Sequence, residues 1–194
     1  MNADPFARIL KARGLVVLDG GLATALEDQG YLLADELWSS RLLRDDPEAI
    51  AMAHRRYLDA GADCITTASY QASCAGFAAA GIGPDEGDSL LARSTELARK
   101  AIHEQRPSPA LRPIVAASIG PYAAFMADGS EYNGRYEADL GAIKAFHQDR
   151  WTVLAESGPD IMACETIPNG MEAELLLDIL ETDGQRWAWI SFCC

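Results

Sequence analysis

The chain has 194 residues, of which 49% are hydrophobic and 23% are charged. This composition is typical of a globular protein and excludes a disordered or collagen-like chain, and the length allows one domain or at most two small ones. The formal net charge of −13 argues against nucleic acid or an anionic membrane surface as a partner and suits a cationic small molecule.

The sequence shows no pattern typical of a membrane helix, a secretory signal or a zinc ribbon. No apolar run approaches the roughly 20 residues of a membrane helix, and the mixed, basic N-terminal stretch lacks the apolar core of a secretory signal. The five cysteines show no CxxC spacing, which excludes a zinc ribbon. An odd number of cysteines without a signal predicts reduced thiols, and we therefore expect a cytoplasmic location without membrane contact.

Five short apolar runs rich in β-branched residues predict five strands. They cover residues 15–18, 64–68, 114–118, 161–164 and 187–192. Because these runs are apolar on both faces, they predict a parallel sheet that is covered on each side.

Capping residues mark where helices begin and end between these runs. Asp46 predicts the start of a helix that stops near Gly61, and Asn169 with Glu172 resembles a capping box that opens another helix. Apolar stripes at helical spacing predict two further helices, around residues 90–101 and 143–154.

Repeated strand–helix units give either an open doubly wound sheet or a (β/α)₈ barrel. The Asp19-Gly20-Gly21 turn after the first strand lacks the G-x-G-x-x-G fingerprint, which disfavours a dinucleotide-binding sheet. A closed barrel needs about 200 to 250 residues, whereas this chain provides about five strands and four to five helices. We therefore expect a single α/β domain over residues 1–194, an incomplete barrel truncated before its last strands.

Polar residues gather where the predicted strands end, and both architectures place their functional sites there. Asp19 follows the first strand and Glu165 follows the fourth, so we expect both carboxylates to point into one mouth. Such a pair can share a proton or hold a ligand ammonium. Backbone N–H groups at Gly20 and Gly21 suit a ligand carboxylate, and the four residues together could grip an α-amino acid at both ends.

Each of these features also has a structural alternative. Asp19 could cap the following helix, and Glu165 could pair with a neighbouring basic group. The loop over residues 128–136 is either a surface excursion or a lid over the mouth.

Several other chemically notable residues are expected to be structural. The histidines lie on predicted helices without partners at metal-ligand spacing: His54, His103 and His147. The remaining residues of this group are expected to fill the core: Cys64, Cys74, Trp187 and Trp189. The adjacent Cys193 and Cys194 would need at least one more ligand to form a zinc site.

Five blocks in order along the chain resemble the homocysteine S-methyltransferase family. They are Leu18–Thr24 with Leu26-Glu27, Ala62–Ser73, Ser118–Tyr122, Asp128–Tyr132 and Ala163–Pro168. The resemblance covers the whole chain and implies a (β/α)₈ barrel in which a zinc-bound homocysteine thiolate takes a methyl group. The loop block is similar to bacterial and plant enzymes that use S-methylmethionine, so the implied donor is a sulfonium, S-methylmethionine or S-adenosylmethionine.

The resemblance also implies roles for individual residues. The family's homocysteine-binding Asp and Glu match Asp19 and Glu165, with Gly20 and Gly21 near the ligand's carboxylate, and Tyr70 matches an aromatic residue near the donor. The family's zinc ligands are cysteines in later Gly-x-Asn-Cys and Gly-Gly-Cys-Cys blocks, neither of which this sequence contains. The resemblance therefore implies Zn²⁺ for the full-length enzyme, with its ligands beyond residue 194.

Two rival hypotheses stay open from the residues alone. The first is a metal-free barrel lyase or hydrolase in which Asp19 and Glu165 act as acid and base. The second is a non-catalytic fragment that binds an amino acid or pairs its fifth strand with another chain. The oligomeric state is not predicted.

Overall fold

Helices and strands alternate along the chain in the computed structural model, which describes residues 3–33, 38–105, 111–126, 128–132, 134 and 138–193. The helices are α1 (Ala7–Arg13), α2 (Leu22–Glu27), α3 (Leu42–Asp45), α4 (Pro47–Asp59), α5 (Cys74–Ala79), α6 (Pro84–Glu104), α7 (Tyr122–Met126), α8 (Leu140–Glu156) and α9 (Gly170–Asp183). Short 3₁₀ turns cover Trp38–Arg41 and Ser130–Tyr132. The strands are β1 (Cys64–Thr66), β2 (Ile114–Ile119), β3 (Ile161–Ile167) and β4 (Ala188–Phe192).

The four strands form one parallel sheet in the order β1-β2-β3-β4. Cys64 pairs with Ile114, and Ala116 pairs with Ile161. Consecutive strands are neighbours and helices connect them, as in repeated βα units. The predicted α/β class with a parallel sheet is confirmed.

The first predicted strand, over residues 15–18, is wrong as a full strand and survives only as an isolated parallel bridge between Leu18 and Cys64. The segment still runs beside β1, because the backbone N–H of Asp63 donates to the carbonyl of Val17 at 2.7 Å. The Val17 N–H, however, donates to the Asp63 side chain at 3.0 Å. A side chain thus takes the place of a backbone partner, which shortens the ladder.

Both capped helix starts are confirmed. The side chain of Asp46 accepts a hydrogen bond from the N–H of Ala49, and that of Asn169 accepts one from the N–H of Glu172. The predicted number of four to five helices was too low. Helices α1, α2, α3, α5 and α7 have seven residues or fewer, too short to show the helical period in a sequence window.

One face of the sheet is covered by α1 at the amino ends of the strands. Ile9 of α1 is fully buried there against strand residues, which are Cys64, Ile114, Ala116, Ile161 and Ala163. Trp187 and Trp189 pack against the same cluster, as expected from the sequence. The carboxyl ends of the strands lie beyond this cluster.

The other face of the sheet is covered by helices. Ala117 and Ile119 of β2 join Met162 and Cys164 of β3 in a large cluster with residues of α4, α6, α8 and α9. All six residues of β2 are buried, as its two-sided apolar pattern predicts. No helix in the described part of the chain is long and apolar enough to cross a bilayer.

Candidate functional site

Strand alternation carries three polar side chains onto one face of the sheet at its carboxyl edge. Successive residues of a strand point to opposite faces. Thr66, Ser118 and Glu165 each lie two residues beyond a member of the cluster that α1 covers. The three side chains therefore continue that face where α1 no longer covers it.

A cavity of about 250 Å³ opens at this edge. Its wall includes Gly20, Gly21, Tyr70, Ser118, Tyr132 and Glu165. The described residues that line it include no Lys, Arg or His. A ligand that enters this cavity therefore meets carboxylate, hydroxyl and backbone groups, which suits a ligand with a positive charge.

Asp19 is not among the described residues that line this cavity, but it directly precedes Gly20 and is held by Thr66, which both line it. The Thr66 N–H donates to the carboxylate at 2.8 Å, and the Thr66 hydroxyl donates to it at 2.8 Å as well. Burial raises the pKa of Asp19 to about 6, the hydrogen bonds from Thr66 partly offset that rise, and the charge of Glu165 adds to it. The carboxylate is therefore largely ionised at neutral pH, and its burial makes the ionised form less favourable than it would be in water.

Glu165 projects from β3 into the cavity wall. The Ser118 hydroxyl donates to its Oε1 at 2.5 Å. Burial raises the pKa of Glu165, and the hydrogen bond from Ser118 counteracts this. Since the charge of Glu165 also acts on Asp19, the two predicted carboxylates lie near the same cavity.

The structural alternatives for both carboxylates are wrong within the described residues. Helix α2 has Gly21 as its N-cap and no side-chain cap, so Asp19 does not cap it. The hydrogen bond of Glu165 comes from Ser118, and no ion pair joins it to a basic group of the described chain. Both carboxylates therefore keep acceptor capacity for a ligand.

Gly20 and Gly21 form the part of the wall that follows Asp19. A Cβ at Gly20 would lie 3.0 Å from the ring and hydroxyl of Tyr57. The Tyr57 hydroxyl in turn donates to the carbonyl of Gly21 at 2.9 Å. Tyr57 thus packs directly on the glycine turn and fixes its path.

Tyr70 lines the cavity in the loop after β1 and packs on the turn after β2. A Cβ at Gly120 would lie 2.5 Å from the Tyr70 carbonyl oxygen and 2.8 Å from its ring, so only glycine fits there. Burial raises the pKa of Tyr70 to about 12, and a hydrogen bond with Thr166 works against this rise. The hydroxyl is therefore a neutral donor at physiological pH.

Thr166 has a backbone conformation that the sequence did not reveal. Its φ of 58° is left-handed, and the register between β3 and β4 shifts between Cys164 and Ile167. A non-glycine residue in this region costs about 1 kcal/mol or more, and such strain concentrates at functional sites. The irregularity falls immediately after Glu165 and next to Tyr70. A threonine after a strand gives no sequence signal for it.

A buried ionic network supports the loops of the site from behind. Arg150 is fully buried and donates to the carbonyl of Gly120, to the carbonyl of Tyr70 at 3.4 Å and to His147 Nδ1 at 3.1 Å. His147 Nε2 lies 2.6 Å from Glu172. Burial lowers the pKa of His147 to about 4, so a neutral imidazole links the two charged side chains.

This network connects helices α7, α8 and α9 to the loops of the cavity wall. The N–H of Tyr122 donates to Glu172 at 2.6 Å, which anchors the start of α7 as well. His147 thus has the structural role that the sequence suggested. The role of Arg150 was missed, because an arginine amid the polar residues of α8 looks like a surface residue in a sequence.

The loop over residues 128–136 packs against the carboxyl end of β3. A Cβ at Gly134 would lie 2.9 Å from the Pro168 carbonyl oxygen, and Tyr132 lines the cavity. Asn133, Arg135 and Tyr136 lie outside the described residues. The lid function of this loop stays a prediction.

Cysteine and histidine residues form no metal centre among the residues that the structure describes. Burial raises the pKa of Cys164 to about 12 and that of Cys74 to about 11, which makes both thiols poor nucleophiles. Cys193 directly follows β4, and Cys194 falls outside the described residues. Cys193 therefore gives the described region no metal site.

The remaining histidines lie where the sequence placed them, on helices. His54 is buried in α4, and neither ring nitrogen has a hydrogen-bond partner within the described ranges. His103 is exposed near the end of α6. Neither histidine belongs to the cavity wall.

Comparison with known proteins decides the family. A family model described as homocysteine S-methyltransferase matches residues 16–194. The chain belongs to the homocysteine S-methyltransferase family. The homocysteine S-methyltransferase of Escherichia coli (strain K12) is 44% identical over 193 residues, which cover 97% of this chain and 62% of that protein. Homocysteine S-methyltransferase 1 of Arabidopsis thaliana is 45% identical over 194 residues, which cover 95% of this chain and 60% of that protein.

A solved structure extends the likeness from the sequence to the backbone. The crystal structure of the homocysteine methyltransferase MmuM from Escherichia coli in its metallated form matches with a TM-score of 0.91 at 44% identity. The match covers 97% of this chain and 66% of that one. The chain therefore has the barrel-type α/β fold of an enzyme family and spans less than two thirds of the length of these relatives.

Proposed function

We propose that this chain provides the amino-acid-binding part of a homocysteine S-methyltransferase that transfers a methyl group from a sulfonium donor to homocysteine, giving methionine. The observation that carries the proposal is the pair of carboxylates, Asp19 and Glu165, beside a cavity whose described lining has no basic side chain. The donor is S-methylmethionine or S-adenosylmethionine. The acidic composition of the chain supports a cationic ligand.

In this proposal the two carboxylates hold the α-ammonium of homocysteine. Ser118 and Thr66 fix their orientations through hydrogen bonds of 2.5 and 2.8 Å. The backbone of Gly20 and Gly21 faces the α-carboxylate. A ligand gripped at both ends presents its side-chain thiol in a fixed direction, and alignment is the main requirement for attack on an already activated sulfonium.

The thiol also has to lose its proton. A free thiol has a pKa near ~8.5, and coordination to zinc deprotonates it. The described residues do not fit such a site, because they contain no group of three His, Cys, Asp or Glu side chains that could hold a metal ion. We therefore assign substrate orientation to this chain and no step of thiol activation.

Calorimetric titration of the 194-residue chain with homocysteine tests the proposal. We expect Glu165→Gln to weaken binding about 10- to 100-fold, since a hydrogen bond to a charged group contributes about 1.5–3 kcal/mol. Glu181→Gln, an exposed change on α9, serves as the matched control and should leave the affinity unchanged. Equal affinities for wild type and Glu165→Gln would refute the assignment.

A metal-free lyase or hydrolase is the second candidate, because the raised pKa of Asp19, about 6, suits acid–base chemistry near neutral pH. Turnover by this chain in the presence of a metal chelator would support it.

We also infer a cytoplasmic location, which is supported by four free cysteines, Cys64, Cys74, Cys164 and Cys193.

A further inference from the structure

A third carboxylate, Glu131, is buried, directly precedes the cavity-lining residue Tyr132, and is not used by the proposed grip on the amino acid. Glu131 is only 6% exposed, and its Oε2 has no hydrogen-bond partner in the part of the chain that the structure describes. A buried charge without a partner costs several kcal/mol unless something compensates it. Such a group is an expected ligand contact wherever it adjoins a binding cavity.

Glu131 is not among the described residues that line the cavity, but it lies next to residues of the cavity wall. Its neighbour Tyr132 lines the cavity and is 67% exposed. The loop is held against the end of β3 by the close approach of Gly134 to Pro168, at which a Cβ would meet the carbonyl oxygen at 2.9 Å. The charge of Glu131 also contributes to the raised pKa of Tyr70 on the facing loop.

We propose that Glu131 is the anionic partner of the cationic centre of the methyl donor and makes the site prefer a sulfonium to a neutral thioether. This inference rests on the proposed function and adds a specificity-determining residue to it. Asp19 and Glu165 are occupied by the ammonium of the acceptor amino acid. Glu131 supplies the additional negative charge that a second cation requires.

The aromatic residues at the mouth fit the same ligand chemistry. Tyr70 and Tyr132 both line the cavity, and aromatic faces attract cations within about 6 Å of the ring. A carboxylate flanked by two tyrosines recognises a sulfonium through charge and through the ring faces. A thioether with the same carbon skeleton gains neither contribution.

Titration with S-methylmethionine and with methionine tests this preference, because the two ligands differ by one methyl group and one positive charge. We expect the wild-type chain to bind S-methylmethionine at least about tenfold more tightly. Glu131→Gln should reduce that ratio at least about fivefold and leave homocysteine affinity within about twofold. The exposed control Glu181→Gln should leave the ratio unchanged.

Glu131→Asp separates recognition from folding, since it retains the charge and shortens the side chain. We expect this variant to keep most of the preference, and circular dichroism and the melting temperature report whether each variant folds. An unchanged ratio in a folded Glu131→Gln variant overturns the role of Glu131 alone. Loss of homocysteine binding in both variants shows that Glu131 only holds the loop, and failure of the wild-type chain to bind homocysteine overturns this role together with the proposed function.

Discussion

Asp19→Asn should make the fold more stable at neutral pH while it weakens ligand binding. Burial raises the pKa of Asp19 from 3.8 to about 6. Between about pH 4 and pH 6, Asp19 is therefore mostly protonated in the folded state and mostly ionised in the unfolded state. The ionised carboxylate therefore lowers stability as pH rises through this window, and the full cost of about 3 kcal/mol applies above it.

Replacement by asparagine removes that cost and also weakens the contacts with Thr66. The wild-type carboxylate accepts from both the N–H and the hydroxyl of Thr66, and an amide offers one acceptor oxygen in place of two. We take this loss as about 1–2 kcal/mol. The net gain at pH 7.5 is then about 1–2 kcal/mol, whereas at pH 4 the variant should be less stable than wild type.

Urea unfolding at pH 4 and pH 7.5 measures this difference directly. The free energy of unfolding of the variant relative to wild type should change by about 2–3 kcal/mol between the two pH values. Asp149→Asn, on the exposed side of α8, is the matched control and should show no such change. A relative stability of Asp19→Asn that stays constant within about 0.5 kcal/mol across this range would refute the reasoning.

Two further changes test how the loops of the site are held. Gly120→Ala should cost about 1–3 kcal/mol because its Cβ would lie 2.5 Å from the Tyr70 carbonyl oxygen. Gly170→Ala, at the first position of α9, meets nothing within 4 Å and should be nearly neutral. Equal stabilities of the two variants in urea would contradict the close packing. Arg150→Met should cost about 3–5 kcal/mol by removing the buried countercharge of Glu172. An unchanged free energy of unfolding would show that the network does not stabilise the fold.

Local signals in the sequence were enough to place most elements. Asp46 and Asn169 occupy the N-cap positions that their spacing indicated, because capping depends on a side chain and a backbone group three residues away. Two-sided apolar runs likewise located β2 and β3. Glu165 and Gly20 were placed near a binding site because they follow the ends of predicted strands, and both line the cavity.

Features that depend on distant residues could not be predicted. The weak first strand results from the Asp63 side chain, which binds the N–H of Val17 across 46 residues. Burial of Arg150 depends on carbonyl groups 30 and 80 residues away. The left-handed Thr166 depends on the pairing of β3 with β4. Each needs tertiary contacts that no local pattern encodes.

A double-mutant cycle on homocysteine binding tests most directly whether Asp19 and Glu165 serve one ligand group. Titration of wild type, Asp19→Asn, Glu165→Gln and the double variant at pH 7.5 gives the coupling free energy between the two side chains. The proposed function has both carboxylates contact one ammonium, so it predicts a coupling of at least about 1 kcal/mol. Additive losses within about 0.3 kcal/mol, or full affinity in either single variant, would contradict a shared site.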